Sequence, residues 1–412
     1  MGRSGGRSKF TRIERSLALK GNVRVVAATA FLAGLYSSMM GVIWQPFVLS
    51  LGASMSTLGF LESLGGEGGL VRALIQLPGG WFSDRVGRKP VIILSGLMGM
   101  SAISLFVLAG LVRDWRLLVP GVILIGMSVV ARPGEAALIA DSVHPNERGT
   151  AFSRYIFCYV AAGMFGPALG GLMANRWGYL PVFLTRVALE GLRVLVAACF
   201  LRETLRRQLP LLRPTALVTG IGRIVRLPRK LWGLYIAMTM DAFAWGLGAT
   251  ILFGLLSKSY HFTALQLGVM SSVFSISCAL SQLPIGKLID RFGCKRFLLL
   301  SELIGLFVVG GWFLFTNFKA FVLLHGLRGL VFSTFLPAYL ALLSGSVSEE
   351  ERGEAVGQLS ALRGLIGFPA PYIGGRLYDL GGFKVPILAN FLGVVATLIL
   401  ILLLVREPTE KA

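Results

Sequence analysis

The sequence predicts an all-α membrane protein with twelve transmembrane helices in two six-helix bundles. Three observations predict it. Hydrophobic residues make up 55% of the 412 residues and charged residues 15%, with a mean hydropathy of +0.74, a balance that soluble domains do not keep. About twelve apolar runs are long enough to cross a bilayer. A charged phrase that lies between two such runs occurs twice, half the chain apart.

Each predicted span contains roughly 20 mostly apolar residues, the length that a helix needs to cross the hydrocarbon core. The spans are 23–49, 56–81, 90–112, 118–140, 150–174, 180–201, 231–257, 263–286, 297–315, 320–343, 354–377 and 385–405. They predict an N-terminal bundle over 23–201 and a C-terminal bundle over 231–405. The remaining segments are a basic N-terminal arm over 1–22, a linker over 202–230 with prolines among its arginines, and a tail over 406–412.

Two pairs of repeated phrases indicate that one half of the chain is a copy of the other. Residues 76–89 read QLPGGWFSDRVGRK and residues 282–295 read QLPIGKLIDRFGCK, at an offset of 282 − 76 = 206. The phrase over 142–151 matches that over 346–355 at an offset of 346 − 142 = 204. Since each copy holds six helices, an even number, the two copies have the same orientation. Duplication of such a unit is typical of membrane transporters.

The distribution of basic residues predicts the topology. The net charge is +20, but the arginines and lysines are spread over short connectors and form no continuous basic face, which argues against nucleic acid as a partner. They are more numerous on the connectors of one side, so both ends are expected in the cytoplasm. The first apolar stretch is too long for a cleaved signal peptide and is expected to remain as an anchor. We expect the cell's inner (plasma) membrane as the location.

On its motifs, the whole chain resembles the major facilitator superfamily. After the second span, the superfamily signature Gly-x-x-x-Asp-Arg-x-Gly-Arg-Lys is matched by Gly80, Asp84, Arg85, Gly87, Arg88 and Lys89, and a degenerate copy contains Asp290 and Arg291. The fifth span carries Gly166, Pro167, Gly170 and Gly171, similar to an antiporter signature, although Ala162 stands where that pattern prefers glycine. Glu203 and Thr204 resemble the ending of the sixth helix in drug and proton antiporters.

The resemblance implies a gate at the first signature. Asp84 is expected to bind the N-terminus of the eleventh helix, where backbone N–H groups favour an anion. Arg88 is expected to pair with Asp141, while Arg85 braces the loop. The second copy has Cys294 and Gly345 in place of Arg88 and Asp141, so the latch should be asymmetric. The alternative is that this loop only orients helices during membrane insertion.

The Gly-Pro motif of the fifth span predicts a bend and a close helix contact, because Pro167 lacks a backbone donor and the glycines have small surfaces. Pro371 and its neighbouring glycines occupy the matching place in the eleventh span. Close packing without a role in coupling is an equal alternative for each glycine.

Ionisable residues within the spans indicate the functional region of the protein. A charged side chain at membrane depth costs free energy unless it is paired or solvated. The proton-coupling candidates are Asp241, Glu67 and Glu135. The candidates for lining a substrate cavity, given the helices that line it in the superfamily, are Arg132, Arg363, Tyr36, Gln45, Trp245 and Tyr339. The alternative is a permanent ion-pair network, which is the favoured interpretation for Arg186, Glu190 and Arg193.

The resemblance therefore implies a secondary active transporter with the major facilitator fold, which exports organic or amphipathic solutes by proton-coupled antiport. One alternative is uptake or exchange of an anionic solute clamped by Arg132 and Arg363; another is a non-transporting membrane sensor or assembly partner. Expected partners are the lipid bilayer, a small-molecule substrate and protons, and a monomer is expected. No enzyme activity, metal or cofactor is expected, because the sequence lacks a phosphate loop, a zinc motif and a nucleophile elbow.

Overall fold

The computed structural model describes residues 21–144, 147–205, 231–348 and 352–407. The predicted arm up to residue 20, the linker from residue 206 and the tail from residue 408 lie outside the described residues. The helices are α1 (Asn22–Ser50), α2 (Met55–Gly65 and Leu70–Val86), α3 (Arg88–Val112), α4 (Trp115–Asp141), α5 (Arg148–Trp177), α6 (Tyr179–Phe200), α7 (Trp232–Gly248 and Leu252–Tyr260), α8 (Ala264–Phe292), α9 (Cys294–Leu314), α10 (Phe318–Gly345), α11 (Arg352–Gly367 and Ala370–Gly381) and α12 (Lys384–Leu404). They correspond one to one with the twelve predicted spans.

Nine of the described helices are long and apolar enough to cross a membrane. The other three have identifiable reasons for falling short. Two of them, α2 and α11, are each divided into shorter pieces, and α6 carries Arg186, Glu190 and Arg193 within its span. Such charges persist at membrane depth only where they face a partner or a solvated cavity.

The interruptions of α2 and α11 follow from local sequence. Four glycines surround Glu67, and glycine costs about 1 kcal/mol relative to alanine in a helix. Gly68 adopts a φ of 82°, which continues no helix. In α11 the chain leaves the helix around Phe368, which precedes Pro369, because a residue before proline avoids the helical region. Both breaks lie where the chain passes beside the central cavity.

The two faces of the helix bundle differ in how the halves of the chain meet. Because each half contains an even number of helices, Asn22 and Glu407 lie on one face, which we call the terminal face. The opposite face, where Leu51 follows α1 and Gly382 follows α11, we call the far face. The turns after α2 and α8 lie on the terminal face and use Gly87 and Gly293, with φ of 111° and 94°.

A single apolar core joins the two halves toward the far face. It contains Phe47 and Leu58 of the first half together with Leu255 and Phe262 of the second. Toward the terminal face the core divides into two separate clusters, one in each half. The halves therefore pack together at the far face and separate toward the terminal face.

The duplication predicted from the sequence is visible in matching contacts at the terminal face. The backbone N–H of Lys89 donates to Glu203 over 2.9 Å, and that of Lys295 donates to Glu407 over the same distance. The ammonium groups of Lys89 and Lys295 donate to the carbonyl oxygens of Ala198 and Leu402. The contacting residues stand at offsets of 204 to 206, so each half repeats the same local structure.

Candidate functional site

A cavity with three adjoining lobes lies in the helix bundle, two of them between the halves and the third within the first half. The lobes have volumes of about 460, 560 and 510 Å³, within the range of small-molecule sites. Glu67, Arg72 and Arg132 line all three lobes. The lobes therefore meet at the break in α2 and the adjoining part of α4.

Each lobe has its own set of lining side chains. The first lies between α1, the break of α2 and the interruption of α7, with Trp44, Gln45 and Phe253 in its wall. The second belongs mostly to the second half and includes Asp241, Trp245 and other aromatic residues. The third lies within the first half, and its wall includes Tyr36, Glu135, Tyr155, Arg186, Glu190 and Arg193.

In the third lobe, one arginine bridges two acids. Arg193 of α6 donates to Glu190 on its own helix over 2.8 Å and to Glu135 on α4 over 2.6 Å. The hydroxyl of Tyr155 donates to the same Glu135 over 3.1 Å. These bonds hold α4, α5 and α6 together. Because hydrogen bonds and an opposite charge satisfy both carboxylates, this group is suited to a structural role.

In the second lobe, Asp241 of α7 accepts a hydrogen bond from Arg363 of α11 over 3.0 Å. The Asp241 residue is only 3% exposed. The guanidinium of Arg363 also lies 5.2 Å from the ring centres of Phe335 and Tyr339. This pair joins two helices of the second half and lines the second lobe of the cavity.

The break in α2 places Glu67 in the cavity. Glu67 is exposed and makes no hydrogen bond to a described residue, whereas Arg72 donates from Nε to the carbonyl oxygen of Gly65 over 3.1 Å. The carbonyl groups of an interrupted helix lack their usual internal donors, and Arg72 supplies one. Glu67 thus remains available to water or a ligand.

Where the first lobe meets the far face, Gln45 connects the two halves. Its side-chain nitrogen donates to Glu62 over 3.0 Å and to the carbonyl oxygen of Thr250 over 2.6 Å. Its side-chain oxygen accepts from the N–H of Gly254 over 2.7 Å. Thr250 lies within the interruption of α7 and Gly254 lies in the first turn of the piece that follows, so one buried amide satisfies backbone groups that the interruption leaves unpaired.

Around this bridge, helices of the two halves approach each other closely at glycine positions of the far face. A Cβ atom on Gly59 would come within 3.0 Å of the Pro371 backbone, and one on Gly375 would come as close to Met55. Gly171 of α5 and Gly268 of α8 form two similar close contacts between the halves. Asp379 accepts hydrogen bonds from the N–H and hydroxyl of Ser56. The far face is closed by backbone-to-backbone packing.

At the terminal face, the signature residues hold the first half together. Arg88 forms an ion pair with Asp141 and donates to the carbonyl oxygen of Ala137 over 3.1 Å. The guanidinium of Arg85, which is buried, lies 4.4 Å from the ring centre of Trp81. Asp84 lies on the last turn of α2 and has no hydrogen bond to the described part of α11.

The carboxylate of Glu203 caps the start of α3 from outside the membrane-spanning segments. It accepts the backbone N–H groups of Lys89, Thr204 and Leu205, each over 2.9 Å. Partial burial acts to raise the pKa of Glu203, but these backbone donors together outweigh it and hold the pKa below its usual range. The carboxylate is therefore ionised at neutral pH and opposes the positive end of the α3 dipole.

Comparison with known proteins identifies the family. The model of the Major Facilitator Superfamily matches residues 26–255 and 231–412. The chain belongs to the Major Facilitator Superfamily. Solved structures of this architecture include the D-xylose–proton symporter, with a TM-score of 0.71 at 15% identity over 93% of this chain and 97% of the other. The human organic anion transporter MFSD10 has a TM-score of 0.61 at 18% identity over 92% and 98%.

Two curated relatives of this facilitator are similar over most of their length. Solute carrier family 22 member 18 of Rattus norvegicus is 29% identical over 379 residues, covering 88% of this chain and 86% of the relative. The multidrug resistance protein MdtG of Salmonella typhi is 27% identical over 311 residues, covering 74% and 75%. These relatives and the helical fold establish an integral, multi-pass membrane transporter.

The structure places the predicted cavity residues of this facilitator around the lobes, but in different settings. Arg132 is exposed within all three lobes, while Trp245, Tyr339 and Arg363 line the second. Tyr36 lies beneath Arg186 in the third lobe, with 5.0 Å between the guanidinium and the ring centre. Gln45 lines the first lobe, although its amide is engaged in joining the halves.

Four arginines of the cavity, namely Arg72, Arg186, Arg193 and Arg328, were not among the cavity candidates from the sequence. Arg186 was grouped with Glu190, yet Glu190 bonds to Arg193 and the Nη1 of Arg186 points to the sulfur of Met40. Arg328 of α10 lies within 6 Å of three aromatic ring centres and borders the first and second lobes. Helical spacing shows which side chains share a face, but it does not show which neighbour that face meets.

The remaining predicted residues have local positions that can be stated. Gly80 lies inside α2, and a Cβ atom added to it would lie 3.6 Å from the side chain of Pro133. Asp290 and Arg291 are exposed at the end of α8. Pro167 is inside the continuous α5, where Gly166 and Gly170 pack against α1. Pro371 belongs to the first turn of the second piece of α11.

Proposed function

We propose that this transporter exports amphipathic organic solutes in exchange for protons. The observation that carries the proposal is the Asp241–Arg363 pair, a buried acid and a partly buried base that border a cavity between the two halves. Similarity to the multidrug resistance protein MdtG and the Gly-Pro motif of α5 support the exported class.

The pair offers a simple coupling step. When Asp241 is ionised it holds Arg363 by a charge-assisted hydrogen bond, which is stronger than a neutral one. A proton on Asp241 removes the charge and weakens the bond, so Arg363 becomes available to water or solute. Glu67 and Glu135 are further acids of the cavity, but Glu135 is engaged by Arg193 and Tyr155. Asp241 is therefore our principal candidate for the coupling acid.

We further propose that the terminal face lies in the cytoplasm and that the far face lies outside. The support is the excess of arginine and lysine on the connectors of the terminal face. The arrangement described above then corresponds to an inward-facing state, closed outside and open toward the cytoplasm. In the outward-facing state Asp84 would bind the start of α11 and close the terminal face.

The test is flux in proteoliposomes that carry the purified chain under an imposed pH gradient, with fluorescent amphipathic dyes as solutes. We expect uphill dye movement opposite to the proton gradient, and its loss in Asp241→Asn while downhill dye exchange continues. Glu190→Gln, which changes an acid of the structural group, is the matched control for loss of a buried carboxylate. Uphill movement that persists in Asp241→Asn contradicts the role of Asp241, and flux indifferent to the pH gradient contradicts proton coupling.

A further inference from the structure

The cavity is lined by more positively than negatively charged side chains. The lobes are lined by six arginines (Arg72, Arg132, Arg186, Arg193, Arg328 and Arg363) and by five acids (Glu62, Glu67, Glu135, Glu190 and Asp241). Even if every acid is ionised, the formal balance is 6 − 5 = +1. A single negative charge on a bound molecule would bring this lining to neutrality.

The excess positive charge is concentrated where the lobes meet. Arg193 and Arg363 have carboxylate partners, but Arg72, Arg132, Arg186 and Arg328 have none within 4.0 Å among the described residues. The charge of Arg72 interacts with those of Glu67, Arg132, Glu62 and Arg186, the charge of Arg186 also interacts with that of Glu190, and the charge of Arg328 interacts with that of Glu67. All four guanidinium groups line the first lobe, where the lining acids among the described residues are Glu62 and Glu67.

Three of these guanidinium groups have donors with no good acceptor. The Nε of Arg186 is buried without a partner among the described residues, and its Nη1 faces the thioether of Met40, a weak acceptor. Arg132 is exposed to the cavity and makes no hydrogen bond to a described residue. The guanidinium of Arg328 lies 5.5 to 5.9 Å from the ring centres of Trp245, Phe274 and Trp312, and its N–H groups are likewise unbonded to described residues.

We propose that the cavity binds an organic monoanion, with Arg132, Arg186 and Arg328 as its anion-binding residues. This inference rests on the proposed transport of an organic solute and adds the sign of its charge. Planar guanidinium groups bind carboxylate and sulfonate oxygens well, and desolvation by the surrounding apolar wall strengthens such bonds. The aromatic residues of the first and second lobes supply a surface for a flat apolar body.

The two halves contribute different parts of this site. Arg132 and Arg186 lie on α4 and α6 of the first half, whereas Arg328 lies on α10 of the second. An anion held between them contacts both halves at once, so its binding is sensitive to their relative position. The two acids do not form a matching cation site, because Glu62 is already bonded to Gln45 and Glu67 faces Arg72 and Arg328.

The first experiment compares three molecules that share one aromatic body. Calorimetric titration of the purified full chain in detergent would use 2-naphthalenesulfonate, 2-naphthol and (2-naphthyl)trimethylammonium. We expect the sulfonate to bind at least about 10-fold more tightly than the cation, with 2-naphthol between them, and its affinity to fall as salt is raised. Tighter binding of the cation than of the sulfonate would overturn the proposal.

Substitutions of single arginines then test which residues bind the sulfonate. Arg132→Gln, Arg186→Gln and Arg328→Gln should each weaken sulfonate binding by about 10-fold while leaving the affinity for 2-naphthol within about twofold. Arg176→Gln, an exposed arginine at the far end of α5, is the matched control and should change neither. Sulfonate affinity that survives removal of all three arginines would overturn the assignment.

A variant that is expected to tighten sulfonate binding separates an effect on the site from a loss of folding, since a misfolded chain would only bind more weakly. Glu67→Gln removes a negative charge from an exposed position in the break of α2 and should tighten sulfonate binding about threefold or more. Weaker sulfonate binding in this variant would contradict the proposed charge balance of the cavity lining.

Because these assays need no gradient, anion binding without pH-driven flux would refute proton coupling alone. Flux of cationic dyes without anion binding would refute this inference alone.

Discussion

The far and terminal faces of this facilitator are built in opposite ways. At the far face the halves share one apolar core and touch backbone to backbone at glycines such as Gly59 and Gly375. At the terminal face each half has a separate core, and the ion pair of Arg88 with Asp141 joins α3 and α4 of the same half. The difference teaches that shape closes the far face, and we propose that charge closes the terminal face.

This contrast explains why the two faces should respond differently to substitution. Close packing tolerates no added atom, because the neighbouring backbone cannot move aside without separating the halves. A charged latch can be formed and released, because water replaces its hydrogen bonds when the face opens. We call the contact between the two halves at the far face the seam. Substitutions at the far face should therefore alter the closed seam directly. Substitutions at the terminal face should act only when that face closes.

The largest expected effect comes from an added methyl group at the seam. Gly59→Ala would place a Cβ within 3.0 Å of the Pro371 backbone, and overpacking of this kind costs about 1 to 3 kcal/mol. The population with a closed far face should fall by roughly 5- to 150-fold, with loss of most solute flux in proteoliposomes. Gly163→Ala, where no atom lies within 4 Å, is the control. Equal flux in the two variants would contradict backbone closure.

A somewhat smaller effect is expected at the polar bridge. Gln45→Leu removes the bonds to Glu62, Thr250 and Gly254 and leaves backbone groups of α7 unpaired. We expect a cost of about 2 kcal/mol to the closed seam, seen as faster labelling of a cysteine placed at Ser63. Gln282→Leu, on the exposed side of α8, should leave the labelling rate unchanged. Slow labelling in Gln45→Leu would show that the glycine contacts suffice without the bridge.

The next prediction concerns the terminal face. Asp84→Asn should leave the melting temperature of the state with a closed far face unchanged, because Asp84 has no hydrogen bond to described residues in it. It should reduce turnover by about 10-fold if a charged latch closes that face. Asp290→Asn, its counterpart in the second copy, should have a smaller effect because Cys294 and Gly345 have replaced the matched pair. Turnover that is unchanged in Asp84→Asn would contradict the latch.

The smallest effect is expected from Glu203→Gln, which weakens the cap of α3. The folded-state pKa of Glu203 is below its usual value, so its stabilising contribution is present above the unfolded pKa and disappears as pH falls through the folded pKa. We expect a melting temperature lower by about 2 °C at pH 7, with the difference from wild type vanishing in acid. Scanning fluorimetry between pH 7 and pH 3 checks this, and a difference that grows in acid would contradict it.

The sequence was sufficient to predict the helices and the duplication, because the length of an apolar run and a repeated phrase are both read directly from consecutive residues. The break in α2 is also a local effect, because four glycines surround Glu67 there. The role of Gln45 was not predictable, since its partners Thr250 and Gly254 lie more than 200 residues away. Arg186 and Arg328 were missed for the same reason: their surroundings depend on how helices from distant parts of the chain pack.

The most direct test measures both faces in one protein. With the four native cysteines replaced, spin labels at Arg116 and Lys319 report across the far face, and labels at Ser153 and Ser348 report across the terminal face; all four positions are exposed. Electron–electron resonance distances would be recorded from pH 5 to pH 8, with and without solute. Alternating access predicts that one distance lengthens whenever the other shortens, and that Gly59→Ala shifts both toward the far-face-open state. Distances that vary independently, or that Gly59→Ala leaves unchanged, would contradict it.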